Sequence, residues 1–165
     1  MHRLRERRKD KIHGVVKTLA TLGAVDEVIA RIARLEPASE RRWGTLTSSE
    51  MLCHLADSYG GMLGDRMVTP VDTVMTRTVF RWVALHTALP WPKGVPTRPE
   101  VDPRQQGTRP VDFDRDRHAV VVLIRRFIAP GARYARHPFF GSLTRREWLI
   151  WGYRHPDHHL RQLGV

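Results

Sequence analysis

Cysteine is nearly absent from this chain. Cys53 is the one thiol in 165 residues, which excludes an internal disulfide and fits a reducing compartment. No apolar run approaches the roughly 20 residues that a membrane-spanning helix needs. Lys17 interrupts the weak apolar stretch behind the basic start, so no secretory leader is expected there, and the expected location is the cytoplasm. There is no G-x-S-x-G, no P-loop and no G-x-G-x-x-G, which removes the serine-hydrolase, nucleotide and dinucleotide readings. No internal repeat and no convincing strand pattern is present. Lysine is scarce too, with 4 against 24 arginines.

What the sequence has in excess is positive charge. Its formal balance is +11, and the first eleven residues alone carry six Lys/Arg against two acids. Such a balance suits a nucleic-acid or other acidic partner. Yet no groove-reading motif and no basic patch interleaved with aromatics accompanies it, so the bland reading, a solvated basic surface, is preferred. An apolar content of 41% is enough for one core. The organisation expected is a basic N-terminal arm over residues 1–23 and a single domain over residues 24–165.

The periodicities are helical. Val25, Val28, Ile29, Ile32 and Leu35 recur at helix spacing until Pro37. Thr47 and Glu50 form a capping box that starts a second helix near Ser48, with Leu52, Leu55, Tyr59 and Met62 inward and a weakening expected at Gly60 and Gly61. Val74, Val79, Phe80, Val83 and Leu85 predict a third helix with a wide apolar face, ended by Pro90. Six prolines in residues 90–110 exclude regular structure there and mark a long binding loop or lid. Residues 119–128 read as helix, and Thr144 with Glu147 caps a last one. The fold class expected is all-α, a helical bundle with a long Pro-rich loop.

The last helix ends in "HPDHHLRQ", where His155 and His159 stand four apart and share a face. Two imidazoles at that spacing are half of a metal site, and His54, early in the second helix, is the leading candidate for a third ligand. Neutral imidazoles suit zinc, nickel or ferrous iron, and three ligands leave one position open for water or a thiol. Against this, a lone histidine is usually a surface or satisfied core residue. His158 is read as an outer partner or solvent-facing, and His2, His13, His86, His118 and His137 as structural or exposed. Asp57, one turn after His54, is either a surface carboxylate or a partner of a ligand. Cys53 is read as a core thiol, and Trp91 as the indole best placed to line a pocket mouth. Pro156 deletes a helix hydrogen bond directly after His155 and threatens a kink that would part it from His159.

"WGTLTSSEMLCHLADS", "PWPKGVPTRPE", "HPFFGSLTRREW" and "HPDHHLRQLGV" resemble, in order, the motifs of an uncharacterised family in the DinB/YfiT-like superfamily of metalloenzymes. The likeness spans roughly residues 27–165. It implies an up-down-down-up four-helix bundle and a metal held by His54, His155 and His159. It further implies a recurrent glutamine, Gln162, that orients a ligand or the bound water, or is merely a polar residue at the helix end. Members with known activity include thiol S-transferases and a thiol-dependent isomerase, and others resemble hydrolases. The expected function is therefore thiol transfer or hydrolysis at a three-histidine site. A low-molecular-weight thiol as cofactor, an anionic small-molecule substrate, a homodimer and no membrane go with it. The competing expectation is a non-enzymatic basic bundle that binds nucleic acid or protein, its histidines structural.

Overall fold

The computed structural model describes residues 16–165. Five α-helices are present among them: α1 (Ala24–Ala33), α2 (Ser48–Leu63), α3 (Arg81–His86), α4 (Phe113–Ile128) and α5 (Arg145–Gln162). A π-helical turn, Thr76–Phe80, runs into α3, and a 3-10 turn, Pro99–Val101, sits within the Pro-rich loop. No strand occurs among the described residues; one isolated antiparallel bridge joins His137 and Gly141. Of the expected arm, residues 1–15 lie outside the described residues. Leu19 is laid into the core, and its amide donates to the Leu149 carbonyl at 3.0 Å.

Both predicted capping boxes are made. At α2 the Glu50 amide donates to Thr47 Oγ1 at 3.2 Å, while the Thr47 amide donates to the Glu50 carboxylate at 2.8 Å. The same carboxylate receives Arg104 of the Pro-rich loop at 2.6 and 2.7 Å, which ties the loop to the start of α2. α2 runs through Gly60 and Gly61 without the expected weakening and stops at Gly64, whose φ of 88° is left-handed. Gly61 is small for a reason of packing, since a Cβ there would lie 2.8 Å from a methyl of Val68.

α2 packs along α4, α1 against α5 and α4, and α5 against α2 and α4. Between them lie Val28 and Ile32 of α1, Leu52, Leu55 and Tyr59 of α2, Val120, Ile124 and Phe127 of α4, and Trp148 and Trp151 of α5. Aromatic contacts knit these together, with Tyr59 edge-on to Phe127 at 5.1 Å and to Trp151 at 5.7 Å.

α5 crosses Pro156 without breaking. Proline there cannot donate to the carbonyl of Gly152, one turn back. The Tyr59 hydroxyl, arriving from α2, donates to that carbonyl instead. Gly152 is small for a separate reason of packing, since a Cβ on it would sit 2.7 Å from Leu19 and 2.9 Å from Phe127. The acceptor stays satisfied, the helix continues, and His155 and His159 remain one turn apart.

The third apolar segment departs from expectation. Leu85 is buried, Val83 is half-buried, and Val74, Val79 and Phe80 are more than half exposed. The helix also ends at His86 rather than at Pro90. Arg81 ties this segment to α5, its guanidinium meeting Glu147 at 2.6 and 2.8 Å, and of the apolar positions only Leu85 is fully buried in the core.

Candidate metal centre

α2 and α5 bring His54, His155 and His159 together, with one ring nitrogen of each within 4.8 Å of the others. His54 is buried, and the other two are half-buried. His54 enters in the second turn of α2, where the capping box fixes the helix start. His155 and His159 leave α5 on one face, as their spacing requires.

The tautomers of two rings follow from their partners. His54 Nδ1 lies 2.8 Å from the carbonyl of Val101, which can only accept, so Nδ1 carries the hydrogen. His159 Nδ1 lies 3.1 Å from Oε1 of Gln162 and is a donor by the same reasoning. Each Nε2 therefore presents a lone pair, and the two Nε2 atoms face one another at 3.2 Å. Two lone pairs at that distance repel unless something electropositive is shared between them. Burial lowers the proton affinity of His54, and that of His155 and His159 well below the ordinary range, the neighbouring imidazoles adding to the effect in the latter pair. A proton is thus disfavoured, and a cation fits. Two nitrogens about 2.0–2.1 Å from one tetrahedral ion stand about 3.3–3.4 Å apart, close to the spacing here.

The third ring is held by packing. His155 stacks on Trp151 at 4.8 Å with 16° between the planes, and its Nδ1 is buried with no hydrogen-bond partner. An orphaned nitrogen in a ring of three neutral imidazoles suits a divalent transition metal.

The loop closes over this cluster. Val101 supplies the carbonyl on His54, and Trp91 lies 6.2 Å from both His155 and His158 while its indole N–H donates to Ala84 O at 2.9 Å. His158 is half-buried beside His159, its ring 6.2 Å from Trp43, and Lys93 stands over Trp43 at 4.4 Å. Arg154 donates to the carbonyls of Thr87 and Leu89, and its guanidinium lies 5.6 Å over Trp91.

Asp57 is not the surface carboxylate that was one of its two readings. It is buried, and its oxygens accept from the amide and hydroxyl of Thr108 at 2.6 and 2.7 Å and pair with Arg66 at 3.0 Å. Arg66 also donates to the carbonyls of Glu100 and Gln106. Asp57 therefore clamps the loop that carries Val101, and its charge also acts directly on His54, favouring the protonated ring against the effect of burial. Cys53 is a core thiol as expected, pushed up to about 12 by burial and by Asp116 at 3.5 Å. His137 is structural: its Nδ1 accepts from the amides of Phe139 and Phe140 at 3.1 Å.

Three contributors do not stand out in the sequence. The Val101 carbonyl is backbone, and only the proline density hinted that this loop had a fixed course. Trp151 could have been found, since it precedes His155 by one helical turn. Gly44, with φ 77°, seats the Gln162 amide so closely that a Cβ would lie 2.2 Å from its nitrogen. Gly44→Ala is expected to displace Gln162 and weaken metal binding by roughly 10–100-fold, as loss of an outer partner does. Competition titration against a chromogenic chelator measures this, and an unchanged affinity refutes it.

Residues 17–164 match the family described as protein of unknown function (DUF1569). No curated protein and no solved structure gives a match.

Proposed function

The chain belongs to the DUF1569 family, and we propose that it is a divalent-metal-dependent enzyme of the DinB/YfiT-like type, working by thiol transfer or hydrolysis. In this reading α1, α2, α4 and α5 are the four helices of an up-down-down-up bundle, which their mutual packing supports. His54, His155 and His159 would hold zinc, nickel or ferrous iron. The observation that carries the reading is the pair of lone-pair nitrogens facing at 3.2 Å, each fixed by an acceptor on its other nitrogen.

Bound there, such an ion would acidify a water or a thiol enough to supply a nucleophile near neutral pH. The chain's own residues do the rest. Val101 and Gln162 keep the imidazoles in the ligating tautomer and orientation. The loop with Trp91 covers part of the cluster. The carboxylates nearest His54 are committed elsewhere: Asp57 holds Thr108 and Arg66, and Asp102 accepts from the Arg104 amide and the Gln105 side chain. No free carboxylate base stands beside the rings among the described residues, so the nucleophile must be activated by the site itself.

A three-imidazole donor set is uncharged and leaves the ion's full positive charge to its remaining ligand. Among the described residues neither Lys93 nor Arg154 has a carboxylate within ion-pair distance, Arg154 being held by two carbonyls and the face of Trp91. Both favour an anionic substrate or a thiol cofactor bearing carboxylates. The test is elemental analysis of the native protein purified without chelator and offered zinc, nickel or ferrous ions at neutral pH. One equivalent per chain is expected, and protein that remains metal-free removes the reading.

A further inference from the structure

Eight of the twelve large apolar side chains exposed among the described residues fall between Met67 and Leu89. Val74 is 69% exposed, Phe80 56% and Trp82 61%. What borders them is arginine. Residues 129–147 return alongside this segment: the Ala135 amide donates to Met62 O and the Val71 amide to Pro138 O, both at 2.8 Å, and Arg81 donates to Ser142 O at 3.0 Å. Residues 67–89 and 129–147 together hold six arginines against two carboxylates, Asp72 and Glu147. Arg77 and Arg136 share Asp72, at 3.3 and 2.6 Å, and Arg81 takes Glu147. Arg145 is held by the Tyr134 hydroxyl and two carbonyls. Arg133 and Arg146 are exposed and meet no carboxylate among the described residues. The border of the apolar face therefore keeps a clear excess of positive charge.

We propose that this face, over residues 74–86 and extending to Leu89, rests on the surface of an anionic lipid bilayer. Apolar side chains on one side of a short helix, with cations along its border, suit a segment lying in the headgroup layer. The arginines gain from anionic headgroups, and an indole such as Trp82 settles where an apolar body and a polar edge are both satisfied. Charge and apolarity together select this occupant. A nucleic acid would engage the arginines but leave Val74, Val79 and Phe80 in water, and a second copy would set one positive border against another. The contact is peripheral, since no helix among the described residues is long and apolar enough to cross a membrane. The docked segment is also fastened to the histidine end of the molecule. Ala84 O accepts from Trp91, and the carbonyls of Thr87 and Leu89 accept from Arg154.

The experiment is cosedimentation of the full chain with vesicles of phosphatidylglycerol and phosphatidylcholine in equal parts, and with phosphatidylcholine alone. Binding to the mixed vesicles is expected, roughly tenfold or more tighter than to phosphatidylcholine and weakened by added salt. Val79→Asp and Trp82→Ser should each weaken it roughly tenfold. Arg133→Gln and Arg146→Gln should each weaken it about fivefold. Thermal midpoints should stay unchanged, because all four side chains are exposed. Should Val79→Asp fail to fold, Phe80→Ser replaces it. A chain that ignores the mixed vesicles overturns the proposal. So does binding that Val79→Asp and Trp82→Ser both leave intact, which would assign the lipid to the basic residues that open the sequence. A dimer in sedimentation velocity that Val79→Asp dissolves also overturns it and gives the face to a second copy.

Discussion

Glu147→Ala is expected to destabilise the protein by about 3–5 kcal/mol, the cost of breaking a buried ion pair by removing one partner. The carboxylate is 5% exposed and serves three groups at once. It accepts two hydrogen bonds from Arg81, at 2.6 and 2.8 Å, and closes the capping box of α5 through the Thr144 amide and hydroxyl. It also lies 3.2 Å from Nε2 of His86. Alanine would leave the Arg81 guanidinium partly buried without a counter-charge, and the cap alone contributes about 1 kcal/mol. Glu147→Gln keeps a capping acceptor but not the charge, and should fall between. Urea unfolding measures both, and a loss within about 0.5 kcal/mol, ordinary for surface sites, contradicts the assignment. The pH dependence follows. Burial alone would raise this carboxyl, but Arg81, the Thr144 amide and hydroxyl and His86 outweigh it and bring it from 4.5 to about 2. The native state binds this proton less readily than the unfolded chain, so the stabilisation is present above about pH 4.5 and drains away as pH falls toward 2. Glu147→Gln should flatten that part of the stability curve. Glu50, also held at about 2, chiefly by Arg104, would keep part of the slope.

The second large effect concerns the metal. His159→Ala should reduce affinity by more than the 10–100-fold typical of outer partners, and Gln162→Leu by about that range. The two must be graded, because one removes a donor atom and the other only the acceptor that aims it. Folding should survive in His159→Ala, since a half-buried imidazole beside another lone pair adds little to the core. Isothermal titration in a weakly chelating buffer ranks the variants. Identical affinities for native protein and His159→Ala would mean that the ion sits elsewhere, and a larger loss for Gln162→Leu would make the amide itself a ligand.

Local signals were read most faithfully. The Thr47–Glu50 and Thr144–Glu147 boxes depend on residues three apart and appear as their spacing dictates. The His155–His159 pair is equally local. His54 stands out by its place early in a well-capped helix, and the resemblance adds that it faces the pair, which nothing within α2 can say. Three features escaped for the same reason. Pro156 looks dangerous in the sequence because its remedy, the Tyr59 hydroxyl, is 93 positions from the Gly152 carbonyl that it satisfies. Periodicity in residues 74–85 revealed an apolar face correctly, but periodicity does not say what the face meets. Asp57 gives no local sign of its partners, because Thr108, which donates to it twice, lies some fifty residues ahead in a loop without a pattern.

That loop's composition bears on how firmly the centre is held. Each pyrrolidine ring fixes φ before the chain folds, so a segment with six prolines in residues 90–110 has few alternative conformations to surrender on docking. Aiming the Val101 oxygen at His54 therefore costs little conformational entropy, although the segment has almost no regular structure. The stretch behaves as a strut rather than a tether, and its rigidity is written into covalent bonds instead of into secondary structure.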